Sequence, residues 1–258
     1  MSRVVGPSAL TEYLELIHNR EEELRSSKVT DSSLRRLAKN AVPPRFRGTA
    51  RLIFTDVVLP VQRRKAGTLL GRDPLLLHLG CGGRAKKGWV NIDLLGDPVD
   101  VAWNLTHKLP FPDESADGVF HEHLLEHLTL ADGLAFAKEC ARVLKPRGIL
   151  RIGVPDIEMM IRSYAAGGTG YLADFKSDRP TPLLALQEMF YGHRHKAMYD
   201  VPTLGVLTQA AGLGEATASQ FGEGFLQPSP DSPERRYNTL YVEARKHPNR
   251  DVPDTTHN

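Results

Sequence analysis

Short apolar runs alternate with helical segments over the central and C-terminal parts of the chain. The runs that qualify as strands are residues 75–79, 89–92, 99–102, 118–120, 149–154, 216–221 and 239–244. Between them, apolar residues recur at helical spacing over 131–144, 156–166 and 202–211. Apolar strands joined through helices are typical of a mostly parallel sheet covered on both faces. The pattern therefore predicts an α/β fold, a seven-stranded and mostly parallel sheet with helices on both faces.

A different pattern precedes this region. Residues 8–27 carry Leu10, Leu14 and Ile17 at helical spacing amid charged residues, and Asp31 can cap a second helix. We therefore divide the chain into an N-terminal helical extension at 1–70, an α/β domain at 71–247 and a disordered tail at 248–258. The apolar side chains of the extension are expected to be buried against other apolar groups. The extension would then act either as a lid over the substrate site or as a homodimer interface.

Composition narrows the function classes. The chain has 258 residues, of which 41% are hydrophobic and 25% charged, which fits one globular domain with an appendage. A formal net charge of +2 calls for no polyanionic partner, so nucleic acid is not expected as the substrate. Cys81 and Cys140 are too few for a disulfide framework and favour a cytoplasmic location. No apolar stretch approaches the ~20 residues of a membrane span, and no signal-peptide run is evident.

The first apolar run leads into the glycine turn Gly80-Cys81-Gly82-Gly83. Such a turn lets a ligand approach the backbone closely, and its amides can meet a carboxylate or phosphate. The turn also satisfies the dinucleotide fingerprint of nicotinamide enzymes, which requires a full helix after the turn and an acid about 20 positions on. Here the next strand and its acid, Asp93, follow after too few residues for that helix. The short connection argues against a nicotinamide cofactor, whereas Asp93 remains well placed to bind ribose hydroxyls.

Titratable residues are dense after the fourth predicted strand, in the sequence His121-Glu-His-Leu-Leu-Glu-His127. Ligands of α/β proteins bind at this carboxyl edge of the sheet, and histidine can take up a proton near neutral pH. A second group consists of Asp156 after the fifth strand and of His193 and His195 in a glycine-led loop. Asp156 is equally suited to cap the helix that begins at residue 157.

Several segments resemble motifs of the class I S-adenosylmethionine-dependent methyltransferases, and they occur in the same order as in that family. They are Leu-Gly-Cys-Gly at 79–82, Gly-Trp-Val-Asn-Ile-Asp at 88–93, residues 109–119 beginning Leu-Pro-Phe-Pro-Asp, Glu-His-Leu at 126–128 and residues 142–150 beginning Arg-Val-Leu-Lys-Pro. The likeness covers about residues 74–245 and is greatest to a branch associated with polysaccharide and glycan biosynthesis, which segment 191–200 also resembles. It implies a Rossmann-like fold, S-adenosylmethionine as cofactor and O-methyl transfer to a hydroxyl of a sugar or glycan intermediate.

The resemblance also assigns cofactor contacts. It implies that the glycines line the methionine half, that Asp93 binds the ribose and that Asn104 and Leu105 contact the adenine. The cofactor-binding residues expected on this basis are His78, Gly80, Cys81, Gly82, Asp93, Leu94, Asn104, Leu105, His121 and Glu122. Two residues depart from the family pattern, because His78 replaces a usual acid and Arg84 a common third glycine. A neutral imidazole at His78 can accept a hydrogen bond from the methionine amino group, and a histidine satisfied by the core is the alternative.

A methyltransferase that acts on a hydroxyl must align the acceptor with the methyl group, exclude water and remove a proton. The candidates for the base are His123, His193 and His195. Asp156 is expected to orient a histidine or to bind acceptor hydroxyls.

Other interpretations remain open from the sequence. Glu126 and His127 resemble a family pair that is often structural. No metal-spacing motif is evident, so no metal site is predicted, and Mg²⁺ bound through Glu122, Asp156 and the histidines is the alternative. The expected partner is a small-molecule or oligosaccharide acceptor. Rival functions are methyl transfer to a phenol, a lipid head group or RNA, a nicotinamide-dependent oxidoreductase, and a non-catalytic scaffold.

Overall fold

The computed structural model describes residues 12–15, 53, 55–94 and 98–248. The strands in this part of the chain are β1 (Leu76–Leu79), β2 (Val90–Asp93), β3 (Val101–Ala102), β4 (Ala116–Glu122), β5 (Leu144–Pro155), β6 (Thr217–Ser219) and β7 (Thr239–Arg245). They form a seven-stranded sheet in the order β3-β2-β1-β4-β5-β7-β6. The pairs from β3 to β5 are parallel, and β7 is antiparallel to both β5 and β6. The predicted α/β class with a seven-stranded, mostly parallel sheet is confirmed.

The helices of the described residues match the predicted periodicity in part. Their bounds are α1 (Leu59–Thr68), α2 (Leu130–Val143), α3 (Ile157–Ala165), α4 (Tyr171–Phe175), α5 (Pro182–Gln187) and α6 (Val201–Ala210). The predicted helices are α2, α3 and α6, whereas the periodicity does not predict α1, α4 and α5. Short 3₁₀ helices span Leu125–His127 and Pro233–Arg235, and a π-helical turn spans Glu188–Gly192. Side chains of Thr129, Asp156 and Asp200 cap α2, α3 and α6 by accepting from the amide three residues on. These caps fix the starts of the three helices that the sequence predicts.

The residues of β1 and β4 alternate between the two faces of the sheet, as strand geometry requires. Leu77, Leu79 and Val119 belong to the main core, which also contains residues of α2 and α6. On the opposite face Phe120 packs with Trp89 and with residues from the chain between β6 and β7. That segment covers part of this face, and the connection between β1 and β2 contains no helix.

A buried ion network holds the covering segment in place. Arg151 of β5 is fully buried, with Nη2 2.5 Å from Asp231 Oδ2 and Nη1 3.0 Å from Glu243 Oε1. Glu243 also accepts from the amides of Phe225 and Leu226. Arg151 therefore ties the segment after β6 to the centre of the sheet.

The described part of the predicted extension packs on the α/β domain. Gln62 of α1 accepts a hydrogen bond at 3.0 Å from the amide of Ala102, and Ala66 joins the main core. Residues 12–15 are helical, and the Tyr13 hydroxyl donates to the carbonyl of Leu184 at 3.0 Å. Most of 8–27, the helix after Asp31 and residues 249–258 lie outside the described residues, so the boundaries at 70 and 247 stay predictions. In the described ranges no helix is long and apolar enough to cross a membrane.

Candidate functional site

The glycine turn after β1 is open on one side. Gly80 and Gly82 have φ of 71° and 55°, in the left-handed region that favours glycine. A Cβ at Gly80 would lie 2.9 Å from Leu124 Cδ1, whereas a Cβ at Gly82 would meet no described atom within 4 Å. The turn therefore packs against the loop after β4 and leaves room for a ligand beside Gly82.

Asp93, at the end of β2, organises this turn. Its Oδ2 accepts from the amide of Gly82 at 2.7 Å, and its Oδ1 accepts from the amide of Leu94 at 2.6 Å. The amides of Gly80 and Cys81 donate to the carbonyl of Ile92 at 2.8 and 3.3 Å. The expectation that the turn amides meet a ligand carboxylate is therefore wrong for these three, because each has a partner within the protein. A carboxylate has about four acceptor sites, so Asp93 keeps capacity for ribose hydroxyls.

Asp93→Asn is expected to weaken the binding of S-adenosylhomocysteine by at least about tenfold. A hydrogen bond to a charged group contributes roughly 1.5–3 kcal/mol, and about 1.4 kcal/mol corresponds to tenfold in Kd. Calorimetric titration measures the change. Asp117→Asn is the matched control, because Asp117 also accepts from a backbone amide, that of Leu75, at the opposite end of β1. Equal Kd values for wild type and Asp93→Asn would remove Asp93 from the ribose site.

His78 makes the contacts of a histidine satisfied by the core. Its Nδ1 lies 3.0 Å from Asn91 Oδ1, and its ring stacks on Phe120 with centroids 5.1 Å apart. Burial lowers the pKa of His78 to about 4, so the imidazole is neutral at neutral pH. These contacts fit the alternative interpretation of His78 better than a cofactor contact.

The other unusual side chains of the turn also have internal roles. Arg84 Nε lies 2.6 Å from Glu234 Oε1, so the residue in place of a third glycine links the turn to the segment before β7. Burial raises the pKa of the Cys81 thiol to about 12. Cys81 therefore contributes packing to the turn and is not a nucleophile.

The loop after β3 contains the two predicted adenine contacts. Asn104 Oδ1 accepts from the amide of Thr106 at 3.1 Å and from its hydroxyl at 2.8 Å. Leu105 belongs to the main core. The predicted contact between the Asn104 oxygen and the adenine amine would have to compete with both bonds from Thr106.

The end of β4 carries two buried polar side chains, Glu122 and His121, that differ in their hydrogen bonds. Glu122 Oε1 accepts from the hydroxyl of Tyr241 at 2.6 Å and from the amide of Ser232 at 3.1 Å. His121 lies edge-on to Phe136, and its Nδ1 has no hydrogen-bond partner among the described residues. Glu122 thus joins β4 to β7. His121 is the strand partner of Leu79, the residue before the glycine turn, so its Nδ1, which lacks a partner among the described residues, lies near that turn.

The free energy of unfolding is expected to decrease as the pH is lowered from about 6.5 to about 3, and His121 accounts for part of this decrease. Burial lowers its pKa to about 3, so over this range the unfolded chain binds a proton that the folded chain does not. This contribution is complete above pH 6.5, decreases as pH falls and levels off below the folded pKa. Urea unfolding at several pH values should show a slope reduced by up to about 1.4 kcal/mol per pH unit in His121→Asn. An unchanged slope would show that His121 is protonated in the folded protein.

The predicted base candidates lie in one group. His123 has φ of 52°, its Nε2 lies 2.8 Å from Thr239 Oγ1, and its Nδ1 lies 3.4 Å from Glu126 Oε1. His195 Nε2 lies 3.9 Å from the same Glu126 oxygen, and the rings of His193 and His195 are 5.6 Å apart. Burial lowers the pKa of His123 to about 3. The structure therefore brings the three histidines together and adds acidic Glu126 at their centre.

We call the following set the histidine cluster: His123, Glu126, His127, His193 and His195. The sequence interpretation treated Glu126 and His127 as a structural pair and missed their place here. The signal that could have found them is the density of titratable residues over 121–127.

Two other predicted side chains do not join the histidine cluster. Asp156 accepts from the amide of Met159 at 2.9 Å and caps α3, and Glu122 is bonded to β7. Among the described residues, no set of three ligand atoms within 4.8 Å of one another includes Glu122 or Asp156, so the alternative magnesium set is not assembled there. Tyr199 is buried and so cannot contact an acceptor from solvent, whereas Tyr191 is 76% exposed.

Part of the α/β domain is similar to known proteins. Residues 84–152, from the glycine turn into β5, match the family model described as a methyltransferase domain. Over this region the chain is therefore similar to methyltransferases. A probable S-adenosylmethionine-dependent methyltransferase of Mycolicibacterium smegmatis is 38% identical over 58 residues, which are 22% of this chain and 22% of that protein. Another from Mycobacterium tuberculosis is 43% identical over 49 residues, 19% of this chain and 17% of that protein.

The matched region is short. The chain spans about a fifth of the length of these curated relatives. A solved S-adenosylmethionine-dependent methyltransferase from Archaeoglobus fulgidus aligns with 76% of this chain and 94% of its own, at 15% identity and a TM-score of 0.43. The residues present fit the cofactor of the class, because the turn is open beside Gly82 and the Asp93 carboxylate lies at the end of the neighbouring strand.

Proposed function

We propose that this protein is an S-adenosylmethionine-dependent O-methyltransferase that acts on a hydroxyl of a sugar or glycan intermediate. The observation that carries the proposal is the contact between the two halves of the site. The glycine turn packs against Leu124, which lies within the segment that leads from β4 to the histidine cluster. A cofactor beside Gly82 and an acceptor beside the histidines would therefore be close enough to react.

The residues of the turn have the binding role. When bound, S-adenosylmethionine supplies an electrophilic methyl group, so the protein needs to position the acceptor and remove its proton. Asp93 binds the ribose hydroxyls, and Gly80 and Gly82 let the backbone approach the methionine half. The main core under β1 and β4 excludes water from the back of the site.

Among the candidate bases we assign the proton transfer to His193. Both nitrogens of His123 face protein groups, Thr239 and Glu126, and the side chain of His195 is only 4% exposed. The side chain of His193 is 37% exposed, and its Nε2 lies 3.9 Å from Glu188 Oε1. A substrate hydroxyl can reach this imidazole from solvent, and the carboxylate of Glu188, which also pairs with Lys176 and Arg179, lies beside the charge that the ring gains.

Exposed aromatic side chains support a sugar acceptor. Tyr191 lies two residues from His193, and Tyr164 of α3 is also exposed. Tyrosine rings can pack on the apolar face of a sugar while their hydroxyls stay in water. The acceptor is a small molecule or an oligosaccharide in this proposal. The homodimer and the cytoplasmic location remain predictions from the sequence.

Two measurements test the proposal. Calorimetry with S-adenosylhomocysteine and with NAD(P) tests the cofactor, and binding of NAD(P) without S-adenosylhomocysteine would contradict it. Transfer of a labelled methyl group to a panel of sugars, glycans, phenols, lipid head groups and RNA tests the acceptor. Labelling of sugars supports the proposal, and labelling confined to another class would overturn the acceptor assignment. Cofactor binding without transfer to any acceptor would favour a non-catalytic scaffold.

A further inference from the structure

Glu126 is a buried acid whose carboxylate oxygens have no hydrogen-bond partner in the part of the chain that the structure describes. It lies in the 3₁₀ helix Leu125–His127, its residue surface is 0% exposed, and neither carboxylate oxygen has a hydrogen-bond partner among the described residues. Burial raises the pKa of this carboxyl group. Buried carboxylates in folded proteins are normally paired, hydrogen-bonded or bound to a metal. The orphaned oxygens therefore point to a missing proton or a missing ligand.

Two imidazoles lie next to this carboxylate. One ligand atom each from Glu126, His127 and His195 can be chosen so that all three lie within 4.8 Å of one another. The rings of His127 and His195 have centroids 4.9 Å apart. Bonds of about 2.0–2.2 Å from zinc to nitrogen or oxygen place tetrahedral ligand atoms roughly 3.4 Å apart, so the separations need to close by at most about 1.4 Å when the metal binds.

The backbone fixes this arrangement. The carbonyl of Glu126 accepts from the amides of Lys196 and Ala197 at 2.7 and 3.3 Å, which holds the loop of His195 against the 3₁₀ helix.

We propose that Glu126, His127 and His195 form a binding site for a divalent first-row transition metal, of which Zn²⁺ is the representative. Two imidazoles and one carboxylate suit zinc and its neighbours, whereas Mg²⁺ prefers oxygen ligands in an octahedron. Three protein ligands leave a fourth position for water or a bound molecule. The site goes beyond the proposed function, which uses no metal. It also differs from the sequence-based expectation of no metal, because His195 comes from a distant loop.

Zinc binding to the purified full chain tests this site without any assay of activity. After treatment with a chelator, the chain is titrated with Zn²⁺ in a calorimeter, and its thermal unfolding is followed with Zn²⁺, with Mg²⁺ and without metal. We expect one Zn²⁺ per chain and a Tm that rises with Zn²⁺ but not with Mg²⁺. Glu126→Gln and His195→Gln should each weaken zinc binding by at least about tenfold and abolish the rise in Tm. His107→Gln is the control, because His107 pairs with Asp56 elsewhere on the surface.

The unfolding curves without metal separate a lost ligand from a lost fold. Glu126→Gln should then be at least as stable as the wild type, because a neutral amide replaces an acid that lacks a hydrogen-bond partner. A wild-type chain that binds no Zn²⁺ would overturn the proposal and leave Glu126 as a buried neutral acid. Zinc binding that is unchanged in both variants would overturn it as well.

Discussion

His193→Gln is expected to lower kcat by at least about 100-fold while KM for S-adenosylmethionine stays near its wild-type value. General-base catalysis typically contributes 10²–10⁴-fold to the rate, which explains the loss in kcat. KM for S-adenosylmethionine should not change, because His193 is not part of the glycine turn. Steady-state kinetics with the best acceptor from the labelling panel measures both constants. The prediction depends on the proposed O-methyl transfer.

The control for His193 is His107→Gln. The two side chains have similar exposure, 37% and 43%, and each lies within 4 Å of a carboxylate oxygen. His107 lies in the loop after β3, so its replacement should leave kcat within about twofold of wild type. A wild-type kcat in His193→Gln, together with a large loss in His195→Gln or His123→Gln, would move the base to another member of the histidine cluster.

Arg151→Met is expected to reduce the free energy of unfolding by about 3–5 kcal/mol. Removing one partner of a buried ion network leaves the remaining charges uncompensated, and Arg151 is the cation between Asp231 and Glu243. Its Nη groups also donate to Ser219 Oγ and to the carbonyl of Gln220, so the covering segment loses its attachment to β5. Urea unfolding followed by circular dichroism measures the change.

Arg162→Met is the control for this experiment. Arg162 of α3 forms an ion pair with Glu158 one turn away, but its side chain is 78% exposed. Exposed pairs of this kind contribute little, so we expect a change of less than about 0.5 kcal/mol. A loss of less than about 1 kcal/mol in Arg151→Met would mean that Asp231 and Glu243 find other partners when the guanidinium is gone.

Most of the fold follows from local patterns. The predicted strand 75–79 and the observed β1 differ by one residue, and α2, α3 and α6 begin within one residue of their predicted starts. Larger errors occur where pairing extends a strand. β5 begins at Leu144 instead of 149, because Leu144 pairs with Ala116 across an irregularity in the register with β4. Periodicity reports local burial and gives no information on such a partner.

The candidate site divides in the same way. Asp93 and the glycine turn are close in the chain, so the short connection between them predicts their proximity, and the structure places Gly82 and Asp93 in direct contact. The histidines come from two distant segments. Their proximity depends on the bonds from the amides of Lys196 and Ala197 to the carbonyl of Glu126. A hydrogen bond between backbone groups does not depend on the side chains, so the sequence pattern does not predict it.

The sequence by itself determined the α/β class, the Asp156 cap of α3 and the short link from the glycine turn to Asp93, since each depends on residues close together in the chain. The tertiary structure alone decided that Arg151, inside an apolar run, is a buried cation, and that Tyr199 is a core residue. It alone also decided that Glu126 lies between histidines of two loops. These features depend on which distant charges and rings meet, because the free energy of a buried polar group is set by its partners.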